Sequence, residues 1–380
     1  MEFVAALATS RARVATGRAN ANNRGIYVCP EASPPQIIDR FICSAWKSSM
    51  ELVCPAGNLP SLKAAVDNGA DAVYIGFRDA TNARHFAGLN FTNDQIAAGI
   101  DYARSRGRRV FVAINTYPQP GNIRQWRQAV DNAAEVGADA LILADMGVME
   151  YASHTWPDLR LHLSVQGSAT SHEAIRFYAE QFGIRRAVLP RVLSTRQVAA
   201  LIEECVVPVE VFGFGSLCVM VEGRCYLSSY VTGQGPNTFG ACSPASFVQW
   251  CETENGMETR LNDVLIDRFA PDESAGYPTI CKGRYRVNEE VGYAIEDPTS
   301  LNVLPILPEL FRIGVAAIKI EGRQRSPAYV AKVTSVLRQA IDACRKDPSA
   351  FLPEDAWLAQ LSALAEGSQT TLGAYNRGWQ

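Results

Sequence analysis

Histidine is scarce in this sequence, and long apolar runs are absent from it. The 380 residues include four histidines, and none of them lies in an H-E-x-x-H motif or beside a G-x-S-x-G turn. The sequence therefore gives no support for a zinc peptidase or an α/β-hydrolase of those types. No run of about 18 apolar residues occurs, so no transmembrane helix is predicted.

The sequence also has no large excess of positive or of negative charge. The formal net charge is −3 and the pI is about 5.9, which argues against a protein whose main function is to bind polyphosphate. No secretory signal is predicted either, because the apolar segment at residues 3–8 is too short and its arginines follow it. We therefore expect a cytoplasmic protein whose ten cysteines stay reduced.

The first 49 residues differ from the rest of the chain. They are rich in arginine and poor in acidic residues, and they have no sustained hydrophobic period. An organelle-targeting segment is one interpretation. We favour a natural start at Met50, since Glu51 opens the first clear strand. The domain prediction is thus a disordered or misassigned extension at residues 1–49, followed by one domain at 50–380.

Short apolar segments alternate with amphipathic stretches from Met50 onward. The predicted strands are residues 51–55, 72–76, 109–115, 140–145, 160–166, 186–191, 209–214 and 316–320. The predicted helices include 59–68, 93–106, 124–135, 172–182, 195–204, 303–312 and 328–345. Nearly continuous apolar strands are typical of parallel sheets covered on both faces. Eight of them predict a parallel (β/α)8 TIM-like barrel, and a doubly wound open sheet is the alternative.

Polar residues close four of the predicted strands: Asn115, Asp145, Gln166 and Arg191. Active sites of such barrels are built at the carboxyl ends of the strands, so these side chains are candidates for one site. The alternative for each is a simple capping role at a strand or helix end.

A long insertion interrupts the barrel after its seventh strand, at about residues 216–300. Insertions of this length on a rigid scaffold are usually functional. It contains Cys218, Cys225, Cys242 and Cys281. No two of these have the spacing of two to four residues that zinc sites prefer, and thiolates spread over a long loop suit an iron–sulfur cluster.

Neighbouring residues also favour a cluster, because Arg224, Lys282 and Arg284 lie beside the cysteines and would offset the charge of thiolates. From spacing alone, a zinc site or unligated thiols remain open alternatives. Cys251 is a possible substitute ligand.

Several segments carry a family resemblance. Residues 210–228 read EVFGFGSLCVMVEGRCYLS, which resembles the signature of the collagenase-like (U-type) peptidase family, E-x-F-x-x-G-S-L-C followed by four residues and G-x-C-x-L-S. Further segments are LNDVLIDR at 261–268, AGYPTICKGRY at 275–285 and KIEGRQRSPAYV at 319–330. The resemblance extends over residues 50–380, and the closing GSQTTLGAYNRGWQ is most similar to the ubiquinone-biosynthesis branch.

The resemblance implies a barrel fold and a 4Fe–4S cluster held by Cys218, Cys225, Cys242 and Cys281. It also implies oxygen-independent hydroxylation of the aromatic ring of ubiquinone precursors, with prephenate as oxygen donor. The implied partners are a sister protein, UbiV, in a heterodimer, and the lipid-binding accessory protein UbiT. The 49-residue leader departs from the family pattern.

Two other functions are alternatives. A peptidase would need an activated nucleophile, for example Cys218 with His162 as base, and this leaves three cysteines unexplained. An RNA-base hydroxylase of the same family is the other, although no basic stripe with interleaved aromatic residues is evident and no appended C-terminal domain is expected.

Proposed roles follow for residues at the barrel mouth. Carboxylates there can have raised pKa values and handle protons; the candidates are Asp145, Glu210 and Glu321. A dicarboxylate needs cations, and the candidate clamps are Arg191 and Arg323, with an ion pair to Glu321 as the alternative for Arg323. Asn115 and Gln166 are candidates for orienting the substrate ring.

Overall fold

The computed structural model describes residues 50–377, so the expectation for residues 1–49 lies outside the described part. Eight parallel strands close into a barrel in this part, and further strands lie in and after the insertion. The strands are β1 (Glu51–Pro55), β2 (Ala72–Gly76), β3 (Arg109–Ile114), β4 (Ala140–Leu143), β5 (Leu161–Leu163), β6 (Ile184–Val188), β7 (Val209–Ser216), β8 (Val248–Thr253), β9 (Gly256–Leu261), β10 (Val264–Phe269), β11 (Arg284–Val287), β12 (Glu290–Tyr293), β13 (Ser300–Asn302), β14 (Ala317–Ile320) and β15 (Thr370–Thr371).

Helices follow most barrel strands and cover the outside of the barrel. They are α1 (Leu59–Asp67), α2 (Asn93–Arg104), α3 (Ile123–Glu135), α4 (Met146–Thr155), α5 (His172–Phe182), α6 (Thr195–Glu204), α7 (Leu227–Thr232), α8 (Leu307–Ile313), α9 (Pro327–Lys346) and α10 (Asp355–Ser362). None of the helices in the described range is long and apolar enough to cross a bilayer.

The barrel closes through β14, which pairs in parallel with both β1 and β7. Ala317 lies opposite Glu51 on one side and opposite Glu210 on the other. The strands between them pair in sequence order from β1 to β7. The predicted parallel eight-stranded barrel is therefore confirmed, and the open-sheet alternative is wrong.

Alternation along each strand separates two apolar layers. Successive side chains point to opposite faces of a strand, so alternate residues fill the barrel and the others pack under the helices. The interior layer consists of Val53, Ala72, Tyr74, Phe111, Ala113, Ala140, Ile142 and Ala317. Because both faces are apolar, the strands appear in the sequence as continuous apolar runs.

The insertion leaves the barrel at the end of β7 and returns to the same strand. On its return, β13 pairs antiparallel with β7, and Ser300 lies opposite Ser216. Between these residues lie α7, a three-stranded antiparallel sheet of β8, β9 and β10, and the hairpin of β11 and β12. Antiparallel pairing therefore satisfies part of the backbone of the insertion, and the rest of it consists mainly of loops and turns.

Candidate functional site

The carboxyl ends of the parallel strands bring five predicted residues to one end of the barrel. Asn115 follows β3, Gln166 follows β5, Arg191 follows β6, and Glu321 and Arg323 follow β14. All five side chains are buried. The sequence prediction that polar strand ends converge on one region agrees with this placement.

Glu210 does not lie at this end. It is the second residue of β7, and it lies opposite Ala317, the first residue of β14. Its carboxylate accepts from Lys319 Nζ at 2.7 Å and from Arg186 Nη1 at 3.2 Å. The placement of Glu210 at the barrel mouth is therefore wrong: it belongs to a buried ion-pair network near the amino ends of the strands.

Asp145 and Asn115 both make hydrogen bonds within the protein scaffold. The Asp145 carboxylate caps α4 by accepting from Val148 N at 3.0 Å, which is a common way to satisfy a helix amino end. Asn115 accepts from Ala83 N at 2.9 Å and donates to Ser164 Oγ at 3.0 Å. Asp145 thus matches the alternative of a capping role, whereas Asn115 connects the loop after β2 to the residue that follows β5.

Gln166 meets the insertion through its backbone. Its carbonyl accepts from the Tyr117 hydroxyl, and a Cβ on Gly223 would lie only 2.1 Å from the same oxygen. Gly223 has a φ of +90°, a conformation that favours glycine. The segment between Cys218 and Cys225 therefore rests directly on the loop that follows β5.

A second glycine fixes the other side of the insertion. Gly240 has a φ of +79°, and a Cβ there would lie 2.6 Å from Asn82 O. Its carbonyl accepts from Arg84 N at 2.6 Å. The chain before Cys242 is thus held against the loop between β2 and α2.

Arg191 is bound to a carboxylate that the sequence analysis did not single out. Its Nε donates to Glu222 Oε1 at 2.6 Å, and its Nη1 donates to Ser216 O. The other carboxylate oxygen of Glu222 is buried without a hydrogen-bond partner in the described part of the chain. Arg191 is therefore already neutralised, which weakens its case as a carboxylate clamp.

Glu321 accepts hydrogen bonds from three donors. Arg84 Nε lies 3.2 Å from its Oε1, and Gln324 Nε2 lies 3.1 Å from the same atom. Ser216 N lies 3.4 Å from Oε2. Burial alone would raise the pKa of Glu321, but Arg84 and Arg191 outweigh it and lower that pKa to about 2. The expected raised pKa is wrong, because cations surround this carboxylate.

Arg323 is buried and has no carboxylate partner within residues 50–377. Its Nη1 donates to Asn82 Oδ1 at 2.9 Å, while its Nε has no hydrogen-bond partner there. Burial lowers the pKa of Arg323 to about 10, so the side chain is still a cation at neutral pH. The alternative ion pair with Glu321 is not formed, since Glu321 pairs with Arg84.

The four predicted ligand cysteines share one region above the carboxyl ends of the strands. Burial raises the pKa of Cys218 to about 12 and that of Cys281 to about 11, and it also raises the pKa of Cys225. Charge on Cys242 would raise the pKa of each of these three thiols further. Cys242 is thus near all of the other three.

The donor chemistry suits a group that binds soft sulfur ligands. Arg84 Nη1 lies 4.0 Å from Cys242 Sγ, and Lys282 follows Cys281, so cations flank two of the thiols. Within residues 50–377, no three histidine, cysteine or acidic side chains are arranged around a point that could hold a single metal ion. The four thiols lie in one region, but no three of them surround a single metal-ion position.

Other residues behave differently from the four cysteines. Cys251 lies on β8 opposite Glu258 and is not among the charges that shift the pKa values of Cys218, Cys225 and Cys281.

His162 lies in the middle of β5 and stacks edge-on against Phe111, with ring centroids 4.9 Å apart. Burial lowers its pKa well below the usual value, and Arg186 contributes.

A pairing of His162 with Cys218 is therefore not supported. The charges that act on His162 are Arg186, Lys319, Arg109 and Arg160, which belong to the amino-end network rather than to the cysteine region. The two residues that sequence reasoning missed, Arg84 and Glu222, both contact predicted site residues. Their contacts are long-range, and no local motif indicates them.

Comparison with known proteins gives relatives with stated activities. The tRNA hydroxylation protein P1 of Bacillus subtilis is 30% identical over 324 residues, or 84% of this chain and 70% of that protein. The tRNA hydroxylation protein P of Escherichia coli is 30% identical over 343 residues, covering 84% and 73%. The E. coli 23S rRNA 5-hydroxycytidine C2501 synthase is 30% identical over 295 residues, covering 77% of this chain and 39% of that enzyme.

A solved structure of a U32 peptidase is 12% identical and covers 73% of this chain and 95% of that one, with a TM-score of 0.43. The profile of peptidase family U32 matches residues 57–377, which is most of the barrel together with its insertion. The chain therefore belongs to peptidase family U32.

Proposed function

We propose that this protein is a UbiU-like subunit of an oxygen-independent hydroxylase, with a 4Fe–4S cluster held by Cys218, Cys225, Cys242 and Cys281. The observation that carries the proposal is that Cys242 lies near each of the other three thiols, whose pKa values its charge would raise, and 4.0 Å from Nη1 of the half-buried Arg84. Relatives named for tRNA and rRNA hydroxylation support the reaction class.

The proposed substrate is the aromatic ring of a ubiquinone precursor, with prephenate as the oxygen donor. The proposed partners are a UbiV-like sister protein in a heterodimer and the lipid-binding protein UbiT. These finer assignments rest on the sequence resemblance alone. A cluster, when bound, would supply the capacity to transfer electrons.

Arg323 is the best candidate for holding the carboxylate of the oxygen donor. It is a buried cation with an unpartnered Nε and no carboxylate neighbour within ion-pair distance in the described chain. An isolated buried charge is costly, and a ligand of opposite charge removes that cost. Arg191 is a weaker candidate, because a ligand carboxylate would have to compete with Glu222.

Proton handling is better assigned to Glu222 than to Glu321. The free carboxylate oxygen of Glu222 is buried, and after burial the charge of Glu222 contributes most to the raised pKa of Cys218. Glu321 is held ionised by its arginines, so its proposed role is to fix Arg84. Asp145 and Asn115 are proposed to support the site through the helix cap and the loop contacts described above, and the side chain of Gln166 remains a candidate for contact with the ring.

A second candidate function is hydroxylation of an RNA base. The names of the relatives favour it, and so do the exposed rings of Tyr226 and Tyr230 beside Cys225, since exposed aromatic side chains can stack on bases. The two functions differ in product: one gives a hydroxylated quinone precursor and the other a hydroxylated nucleoside.

The first experiment is anaerobic purification with counts of iron, sulfide and zinc and an absorption spectrum. We expect about four irons and four sulfides per chain, and loss of both in Cys→Ser variants of the four ligands. Cys251→Ser is the matched control and should retain the cluster. Bound zinc with almost no iron in the wild type would contradict the proposal.

The second experiment assigns the substrate. A strain that lacks the gene is grown without oxygen, and its quinones and its modified nucleosides are measured by mass spectrometry. Loss of ubiquinone with unchanged nucleosides supports the proposed substrate. Loss of a hydroxylated nucleoside with normal ubiquinone supports the RNA alternative instead.

A further inference from the structure

The loop between β2 and α2 fixes Arg84 through its backbone. Arg84 has a φ of +91°, which is uncommon for a residue with a side chain. Its N–H donates to Gly240 O at 2.6 Å, and its carbonyl accepts from Asn90 Nδ2 at 3.0 Å. Both sides of the peptide chain at this residue are thus tied down, one of them to the insertion.

This backbone conformation places the guanidinium between a carboxylate and a thiol. Arg84 Nε lies 3.2 Å from Glu321 Oε1, and Arg84 Nη1 lies 4.0 Å from Cys242 Sγ. The second distance is at the outer limit for an N–H···S contact. The same cation therefore connects the end of β14 to the cysteine region.

We propose that Arg84 is a positioning residue that sets the reduction potential of the cluster through Cys242. This inference rests on the proposed cluster. Hydrogen bonds and positive charge at the sulfur ligands are general determinants of cluster potential. Reduction adds one negative charge to the cluster, so a fixed cation at a ligand stabilises the reduced form and raises the potential.

Glu321 has the opposite effect on the reduction potential of the cluster, because it interacts with the same arginine. Its ionised carboxylate offsets part of the charge of Arg84 and fixes the direction in which the guanidinium points. Neutralising Glu321 leaves Arg84 less compensated, so the potential should rise. Neutralising Arg84 should lower it. A role confined to packing would not produce shifts of opposite sign.

The test is an anaerobic redox titration of the purified, cluster-loaded protein, followed by electron paramagnetic resonance. Arg84→Met should shift the one-electron equilibrium at least tenfold toward the oxidised form, which corresponds to about 59 mV. Arg84→Lys should give a smaller shift of the same sign, and Glu321→Gln a shift of the opposite sign. Arg78→Met is the matched control, since Arg78 lies in the same loop and contacts Asn90 O and Gln95 instead of sulfur.

Outcomes separate this inference from the proposed function. A wild type without iron removes both. A loaded Arg84→Met variant with the wild-type potential overturns the inference and leaves the cluster in place. If Arg84→Met does not retain iron, Arg84→Lys and Glu321→Gln decide, and unchanged potentials in both overturn the inference.

Discussion

Arg191 donates to Glu222 across 2.6 Å, and this ion pair joins the end of the sixth barrel strand to the segment between Cys218 and Cys225. Both side chains are more than nine-tenths buried. Removing one partner of a buried pair leaves an uncompensated charge, at a typical cost of about 3–5 kcal/mol.

We therefore expect Arg191→Met to lower the free energy of unfolding by about 3–5 kcal/mol. The double variant Arg191→Met/Glu222→Gln should recover part of this loss, because it leaves no unpaired carboxylate. Anaerobic denaturant titration measures both. Equal loss in the single and the double variant would show that packing against Phe212, 4.5 Å away, matters more than charge.

Arg323→Met should lower stability less than Arg191→Met does and should abolish hydroxylation. Arg323 has no carboxylate partner within residues 50–377, so its removal leaves no unpaired charge, and we expect a loss of unfolding free energy of about 1–3 kcal/mol, because Asn82 Oδ1 loses its donor. Hydroxylation should be lost, because the proposed anion site is gone. The measurements are denaturant titration and anaerobic ubiquinone output in a complemented strain. Unchanged output would remove the proposal that Arg323 is a clamp.

Acid should lower the free energy of unfolding of the wild type, because Glu321 becomes protonated. The pKa of this carboxyl is about 2 in the folded protein against an ordinary value of 4.5. A lowered pKa gives stability that is complete above pH 4.5 and is lost as the pH falls through this range toward 2. At pH 3 the loss is about 2 kcal/mol.

Iron-free protein is the sample for this comparison, so that acid lability of a cluster does not enter. The advantage of the wild type over Glu321→Gln in unfolding free energy should shrink between pH 6 and pH 3. A difference that is constant over this range would indicate that the pKa of Glu321 is not lowered.

Gly223→Ala should loosen the insertion from the barrel. A Cβ at this position would lie 2.1 Å from Gln166 O, and the φ of +90° is unfavourable for alanine. Limited proteolysis should then cut within residues 216–300 faster than in the wild type. Gly276→Ala is the control, because Gly276 lies in the same insertion with no atom within 4 Å of a Cβ. Equal cleavage of the two variants would contradict this contact as an anchor.

The sequence alone was sufficient for the barrel. Continuous apolar strands and helix-ending glycines are local signals, and Gly69, Gly107, Gly137 and Gly183 all have positive φ, as a helix end of this kind requires. The position of Glu210 follows from the sequence as well, since the predicted strand begins at residue 209, and a residue near a strand start lies far from the barrel mouth.

The turns of the insertion and the partners of Arg84 and Glu222 differ in how far the sequence indicates them. The sequence carries one local turn signal in the insertion, Asn255 before Gly256, whereas the positive φ of Asn288 and Glu289 in the other hairpin turn is seen in the structure. The partners of Arg84 and Glu222 were not visible. Arg84 and Glu321 are separated by 237 positions, and only tertiary packing determines which cation meets which carboxylate.

The antiparallel pairing of Ser216 with Ser300 has a consequence for how this chain could have diversified. Residues that lie opposite each other on paired strands are only about 5 Å apart. The two ends of residues 217–299 are therefore as close together as the two ends of a hairpin loop. The cost of closing a loop grows only slowly with its length. The parts of this segment that lie away from its contacts at Gly223, Gly240 and Glu222 can therefore change in length while the register of β7 stays the same.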